Sequence, residues 1–173
     1  MSAEAAVTDT LNTSVTAQYD PSDDQWTRAV VSARWRPQRL ASLGVSYRYQ
    51  RDPPEHSRYL PQGREQVSMY GQWPLAQKWY GVGRVDYSLE ESRVTQSIAG
   101  LEYKGDCCWA ARAVLQRYAV SAEDANTALF FQLELTGLGS LGTDPMQLLS
   151  RSIPGYESIT PPTPTGTTFE RYE

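Results

Sequence analysis

The sequence predicts an all-β chain, an antiparallel meander of about eight strands with the amphipathicity of a membrane barrel. Three observations predict it. Between Leu11 and Leu135 apolar and polar residues alternate with period two almost throughout, punctuated by turn residues. The connections fall into two classes, short ones (Pro37–Ala41, Pro74–Lys78, Lys104–Cys108) and longer ones (Asp20–Thr27, Arg51–Glu65, Ala119–Thr127), with Glu91–Arg93 breaking the parity. Short turns on one rim and long loops on the other are the habit of outer-membrane barrels. Finally, Trp35, Trp73, Trp79 and Trp109 sit beside the short turns and Trp26 near the opposite rim. That is where interfacial girdles place amphipathic rings, whereas a β-sandwich buries a tryptophan in mid-strand.

Residues 1–10 read as a lead-in. Met1 to Asp9 holds no basic stretch followed by an apolar core, so a secretory signal is not expected. The expected strands are Leu11–Tyr19, Arg28–Arg36, Ser42–Gln50, Gln66–Trp73, Trp79–Glu90, Val94–Tyr103, Trp109–Tyr118 and Ala128–Leu135. Alternation is clearest in the second, where Ala29, Val31, Ala33 and Trp35 oppose Arg28, Ser32, Arg34 and Arg36, with Val30 the exception. It is poorest in the sixth. Beyond Leu135 the pattern stops: residues 137–156 form a post-barrel segment in which Asp144-Pro145 suit the start of a short helix over Met146–Ser152. Residues 157–173, rich in Pro and Thr from Thr160 onward, are expected to be disordered.

Composition bounds the rest. The chain has 173 residues, 40% hydrophobic, with net charge -4 and mean hydropathy -0.53. No window approaches the roughly 18 apolar residues a spanning helix requires, but strands apolar only at alternate positions pass unseen by hydropathy sums. Mild acidity without a Lys/Arg cluster argues against nucleic acid. An arginine facing lipid at mid-bilayer costs about 2–4 kcal/mol, so in a barrel Arg28, Arg34, Arg36, Arg48, Arg84, Asp86, Arg112, Gln132 and Glu134 face the lumen. The sheet edges then need partners. Either the eight strands close on one another, or they form one arc of a larger barrel.

Catalysis and metal binding have little to stand on. His56 is the single histidine, with Asp52 and Ser57 near it in sequence only, and two cysteines with one remote histidine make no structural zinc site. Gly137-Leu138-Gly139-Ser140-Leu141-Gly142 matches a dinucleotide fingerprint, but its strand is half-polar and no βαβ unit surrounds it, so a flexible exit from the last strand is expected. Cys107 and Cys108 adjoin a short turn before Trp109. Neighbours on an extended strand point to opposite faces and a ring between them is strained, so each is expected to have a distant partner or to be a free thiol.

Five stretches carry a resemblance: GQWPL (Gly71–Leu75), WYGVGR (Trp79–Arg84), AGLEYKGDCCWAARAVLQRY (Ala99–Tyr118), FFQLELTGLGSLGTDP (Phe130–Pro145) and SIPGY (Ser152–Tyr156). Together they resemble the C-terminal end of the lipopolysaccharide-assembly outer-membrane protein family, LptD, over about Leu11 to Tyr156. The resemblance implies a segment of a larger barrel in the cell outer membrane, inserted by the barrel assembly machinery and plugged by a partner lipoprotein, LptE-like. It implies lipopolysaccharide translocation without bond chemistry and without a cofactor. Cys107 and Cys108 look like the adjacent cysteines that pair with cysteines of the family's N-terminal periplasmic domain. Ala128–Leu135 looks like the last strand, with Leu129, Phe131, Leu133 and Leu135 on one side of the lateral seam. The periplasmic domain, its cysteines and most of the barrel lie outside this sequence, so the chain reads as a C-terminal piece. Two competitors remain: a self-closed eight-stranded barrel acting as an enzyme or adhesin, and a soluble β-sandwich binding module.

Overall fold

The computed structural model describes residues 2–6, 8–21, 25–51, 64–119, 125–135, 138–143 and 145–160. His56, most of the Arg51–Glu65 loop and the Pro/Thr-rich stretch from 161 onward lie outside them. Ten strands form one antiparallel sheet in sequence order: β1 (Ser2–Ala6), β2 (Leu11–Asp20), β3 (Gln25–Gln38), β4 (Ala41–Gln50), β5 (Arg64–Ala76), β6 (Trp79–Ser88), β7 (Arg93–Lys104), β8 (Trp109–Ala119), β9 (Ala125–Leu135) and β10 (Gly139–Gly142). One helix, α1 (Pro145–Ser152), follows. Its start at Pro145 suits a residue whose missing N–H would find no partner in the first turn anyway.

The eight expected strands are all present, and two more flank them. Ser2–Ala6, assigned to the lead-in, pairs with Asn12–Thr16 of β2. Gly139–Gly142, expected to be a flexible exit, pairs with Gln132–Leu135 of β9. Neither has the β-branched or aromatic residues that mark a strand locally; each forms because a neighbouring edge offers unpaired N–H and C=O groups. β2 and β9 thus pair outward, with β1 and β10, and not with each other. The sheet is open, which removes the self-closed eight-stranded barrel, and it is a single layer, which removes the sandwich.

Strand ends depart from expectation where proline intervenes. β3 runs through Pro37 to Gln38 and β5 through Pro74 to Ala76, with pairing irregular between Trp35 and Gln38 and between Pro74 and Ala76. A residue without an N–H suits such a break in the ladder. The weak alternation of β7 has a similar cause. Asp86 pairs with Gln96 but Tyr87 with Val94, leaving Thr95 as an extra residue whose hydroxyl donates to Asp86 O at 3.2 Å. One inserted residue reverses the side-chain parity of everything beyond it.

The register settles the two faces. On one, Ser14, Ser32, Ser46, Ser68, Asp86 and Gln96 form a row crossing six strands, each opposite the next. The chain after β10 folds back over this face. Leu149 and Ile153 pack there against Tyr70, Val82, Ile98 and Val114, with Phe130, Leu148 and Tyr156 alongside, and this small cluster is the apolar core. Most large apolar side chains lie on the other face and are exposed.

Candidate functional site

Polar side chains on the covered face divide into two groups. Around β5, β7, β8 and β9 they form a closed network centred on Arg112, which is 0% exposed. Its Nε donates to Glu102 Oε1 (3.1 Å), Nη1 to Glu134 Oε2 (2.6 Å) and Gln132 Oε1 (3.2 Å), and Nη2 to Thr160 Oγ1 (2.8 Å). Tyr156 Oη donates to Glu102 Oε1 at 2.6 Å. Gln72 donates through Nε2 to Glu102 Oε2 (3.2 Å) and to the carbonyl of Glu157 (2.9 Å), and accepts from the Glu157 N–H at 3.0 Å. Arg84 donates to both Asp86 carboxylate oxygens and to Ser152 O. A buried charge is tolerable only when paired and hydrogen-bonded, and each charge here meets that condition.

Asp86, Arg112 and Gln132, expected to face a lumen, are all buried. The cause is the fold-back of residues 153–160, which the local pattern of the sequence did not announce. Glu102, Gln72, Tyr156 and Thr160 were missed with it. Glu102 could have been found from its place between outward Leu101 and half-buried Tyr103, had the bulge at Thr95 not blurred the parity of its strand.

Burial and then the charge of Glu102 hold the Tyr156 hydroxyl well above its ordinary value of 10.0, so it stays a donor in alkaline solution. With the folded value raised, its contribution is complete below the unfolded value and is lost as pH climbs toward the folded one. Tyr156→Phe is expected to cost about 1–3 kcal/mol, because it leaves a buried carboxylate short of a partner. Denaturation midpoints across pH check this: the wild type should lose stability above pH 10.0, and the variant should show a shallower loss.

The second group is different. Arg28, Arg34 and Arg48 occupy the same face on β3 and β4 by register, and the Arg36 side chain lies there beside Gly155. Among the described residues none of the four has a carboxylate partner. Arg34 Nε is buried without an acceptor. Gly155, at φ 86°, lets the fold-back pass over Arg34, against whose Cδ a β-carbon would press at 3.0 Å.

On the opposite face Val31, Val45, Met69, Val85, Leu101, Leu115 and the β9 side chains Leu129 (71%), Phe131 (54%) and Leu135 (41%) are exposed, and Leu133 is half-buried. The tryptophans lie toward the ends of the strands. At the short-turn rim Trp35 meets Trp73 at 6.0 Å between ring centres, and Tyr103 lies between Trp79 (4.9 Å) and Trp109 (5.0 Å). At the other rim Tyr19 packs edge-on against Trp26 at 5.3 Å.

Cys107 and Cys108 lie in the turn between β7 and β8, and their sulfurs are bonded to each other. The turn brings the two side chains together. The argument from opposite faces holds on an extended strand, and these residues are in a bend. The same turn carries Asp106, ion-paired with Lys78 of the β5–β6 turn.

The outer edge of β9 is half occupied. β10 pairs with Gln132–Leu135, and Thr143 then engages Phe131 in both directions, its N–H and hydroxyl donating to Phe131 O and its hydroxyl accepting from Phe131 N. β9 is therefore not the last strand, as it was expected to be. Among the described residues, 125–130 of β9 have no partner strand on that side. Gly142, at φ 108°, has no room for a β-carbon, which would meet Phe131 O. Gly142→Ala is expected to detach β10. Disulfide trapping of a Leu133→Cys, Leu141→Cys pair, facing residues in the register, should drop several-fold with it.

Residues 1–79 match the family model for LPS transport system D. The chain is 66% identical over 182 aligned residues to LPS-assembly protein LptD of Bordetella parapertussis, covering 99% of this chain and 23% of that protein. It is 61% identical over the same length to LptD of Bordetella avium, with the same coverage. LptD of Azoarcus sp. is 41% identical over 145 residues, covering 84% of this chain and 17% of that protein. The chain thus spans about a quarter of the length of the Bordetella relatives it matches (23%).

Proposed function

The chain is a homologue of one segment of the LPS-assembly protein LptD, and on that premise we propose that it is an arc of an outer-membrane barrel that delivers lipopolysaccharide to the cell surface. The observation that carries this is the two-faced sheet. One face is apolar and exposed between two aromatic rims, as a lipid-facing wall must be, and the other carries rows of polar and charged side chains around one small apolar cluster under α1, as suits a lumen for sugar. The lumen wall then comprises Arg28, Arg34, Arg36, Arg48, Arg84, Asp86, Arg112, Gln132 and Glu134.

The sugar moiety of lipopolysaccharide moves along the polar face while its acyl chains leave through a seam at the β9 edge, beside Leu129 and Phe131. Because β10 occupies Gln132–Leu135, near the short-turn rim, the free part of that edge lies toward the long loops. No covalent bond of the lipid is made or broken. The partners are the preceding part of the same protein, a plug lipoprotein and the barrel assembly machinery.

In this reading the short-turn rim faces the periplasm, and Cys107 and Cys108 pair with cysteines of the N-terminal periplasmic domain. A thiolate from that domain attacks one sulfur of the vicinal bond, forming a mixed disulfide and releasing the other sulfur as a thiolate, which pairs with a second cysteine of that domain by exchange with a disulfide-donating oxidoreductase that is itself reduced to its dithiol. An immunoblot of outer membranes with an antibody to Pro161–Glu173, with and without reductant, tests the whole. The expected result is a band several-fold heavier than 19.4 kDa whose mobility changes on reduction. A 19.4 kDa band indifferent to reductant overturns the reading.

A further inference from the structure

The two groups of charges on the covered face differ in one physical respect. Around β6–β9 the two arginines of the network are matched: Arg112 by Glu102 and Glu134, Arg84 by Asp86. On β3 and β4 the arginines are unmatched among the described residues, although like charges sharing a face repel and destabilise the sheet. Uncompensated arginines held together on one wall call for an anion supplied from outside.

The space in front of them is shaped for one. A cavity of about 670 Å³ is bounded by Arg34, Arg48, Ser14, Ser32 and Ser46 from the sheet and Pro154 from the fold-back. Ser32 stands opposite Ser14 on one side and Ser46 on the other, making a row of hydroxyls, with Ser14 and Ser32 bonded at 2.7 Å. Arg34 lies two residues along β3 from Ser32, and Arg48 two residues along β4 from Ser46, so the antiparallel register puts the guanidiniums on opposite sides of that row. Arg34 Nε, buried and without an acceptor, is a donor already desolvated and aimed at no protein group.

We propose that Arg34 and Arg48, with the Ser14–Ser32–Ser46 row between them, form a binding site for a phosphorylated saccharide. Guanidinium forks take phosphoryl oxygens bidentately, and hydroxyls exchange hydrogen bonds with sugar hydroxyls. An acidic protein surface would satisfy the arginines but has no use for three hydroxyls in line. The site rests on the translocation reading and adds to it a place along the wall where the phosphorylated sugar pauses.

The test uses the full-length protein in its cell. A photo-crosslinking amino acid replaces Ser46 in one strain and, in another, Thr16, an inner-face position of β2, and adducts to lipopolysaccharide are read by immunoblot. The Arg34→Gln, Arg48→Gln double variant is expected to lower the Ser46 adduct about tenfold and to leave the Thr16 adduct in place. Arg34→Lys with Arg48→Lys should restore much of it. In the purified full-length complex, lipopolysaccharide stripped of phosphate by hydrofluoric acid should behave at Ser46 as the Gln variant does.

Adducts at both positions that ignore the arginines and the phosphate overturn the site and leave translocation standing. A protein adduct at Ser46 in place of the lipid assigns the arginines to a partner's acidic surface and also overturns it. No lipopolysaccharide adduct at either position brings down the translocation reading, and the site with it.

Discussion

Replacing Arg112 with methionine is expected to destabilise the protein by about 3–5 kcal/mol, the cost of removing one partner from a buried ion pair. The guanidinium is fully buried and its three nitrogens meet Glu102, Glu134, Gln132 and Thr160 at once, so its loss strands two carboxylates without a counter-charge. Lysine is no remedy, because a single ammonium cannot reproduce a planar fork bonded on three sides. The readout is the temperature at which the folded, heat-modifiable form is lost on semi-native gels of the full-length protein, with the level assembled in outer membranes as a second measure. A loss below about 1 kcal/mol would mean that the fold-back does not seal Arg112 from water.

Ala113→Arg should come next in size, and its magnitude depends on what the apolar face meets. Ala113 lies near the middle of β8, opposite Leu101 and Phe131 on the exposed apolar face. Facing lipid, an arginine there costs about 2–4 kcal/mol; facing water, it costs no more than about 0.5 kcal/mol. Val30→Arg is the control, since Val30 shares the polar face with Arg28 and Arg34. Folding into bilayers followed by urea titration would separate the two, and equal small costs at both positions would remove the lipid from the account.

Much of the sheet was legible in the sequence because period two is a local property. Ala29, Val31, Ala33 and Trp35 declare a face within seven residues of chain, and the register keeps all four on one face of β3, against Leu11–Ala17 of β2 and Leu43–Tyr49 of β4. The tryptophans likewise declare the rims, and Trp79, Tyr103 and Trp109 meet where the short turns place them. Arg112 faces Gln132 in the register and Glu134 lies two residues further along the same strand, so all three share one face.

What the sequence hid was whatever a distant strand supplies. Ser2–Ala6 and Gly139–Gly142 carry no strand signal, and they become strands because β2 and β9 offer open edges. Glu102 is an unremarkable carboxylate until Arg112, Gln72 and Tyr156, separated from it by 10, 30 and 54 positions, close around it. Cys107 and Cys108 were judged by the geometry of an extended strand, and a bend between β7 and β8 sets different terms.

By itself, then, the sequence determined the class of sheet, its two faces and its rims, since each depends on side chains within one or two positions of one another. Only the tertiary structure decided that residues 153–160 return across the polar face, which of its charges are sealed in pairs and which are left unmatched, and how much of the β9 edge stays open. Those outcomes depend on pairings between groups far apart in the chain, and their energies exist only once the backbone has brought the partners together out of water.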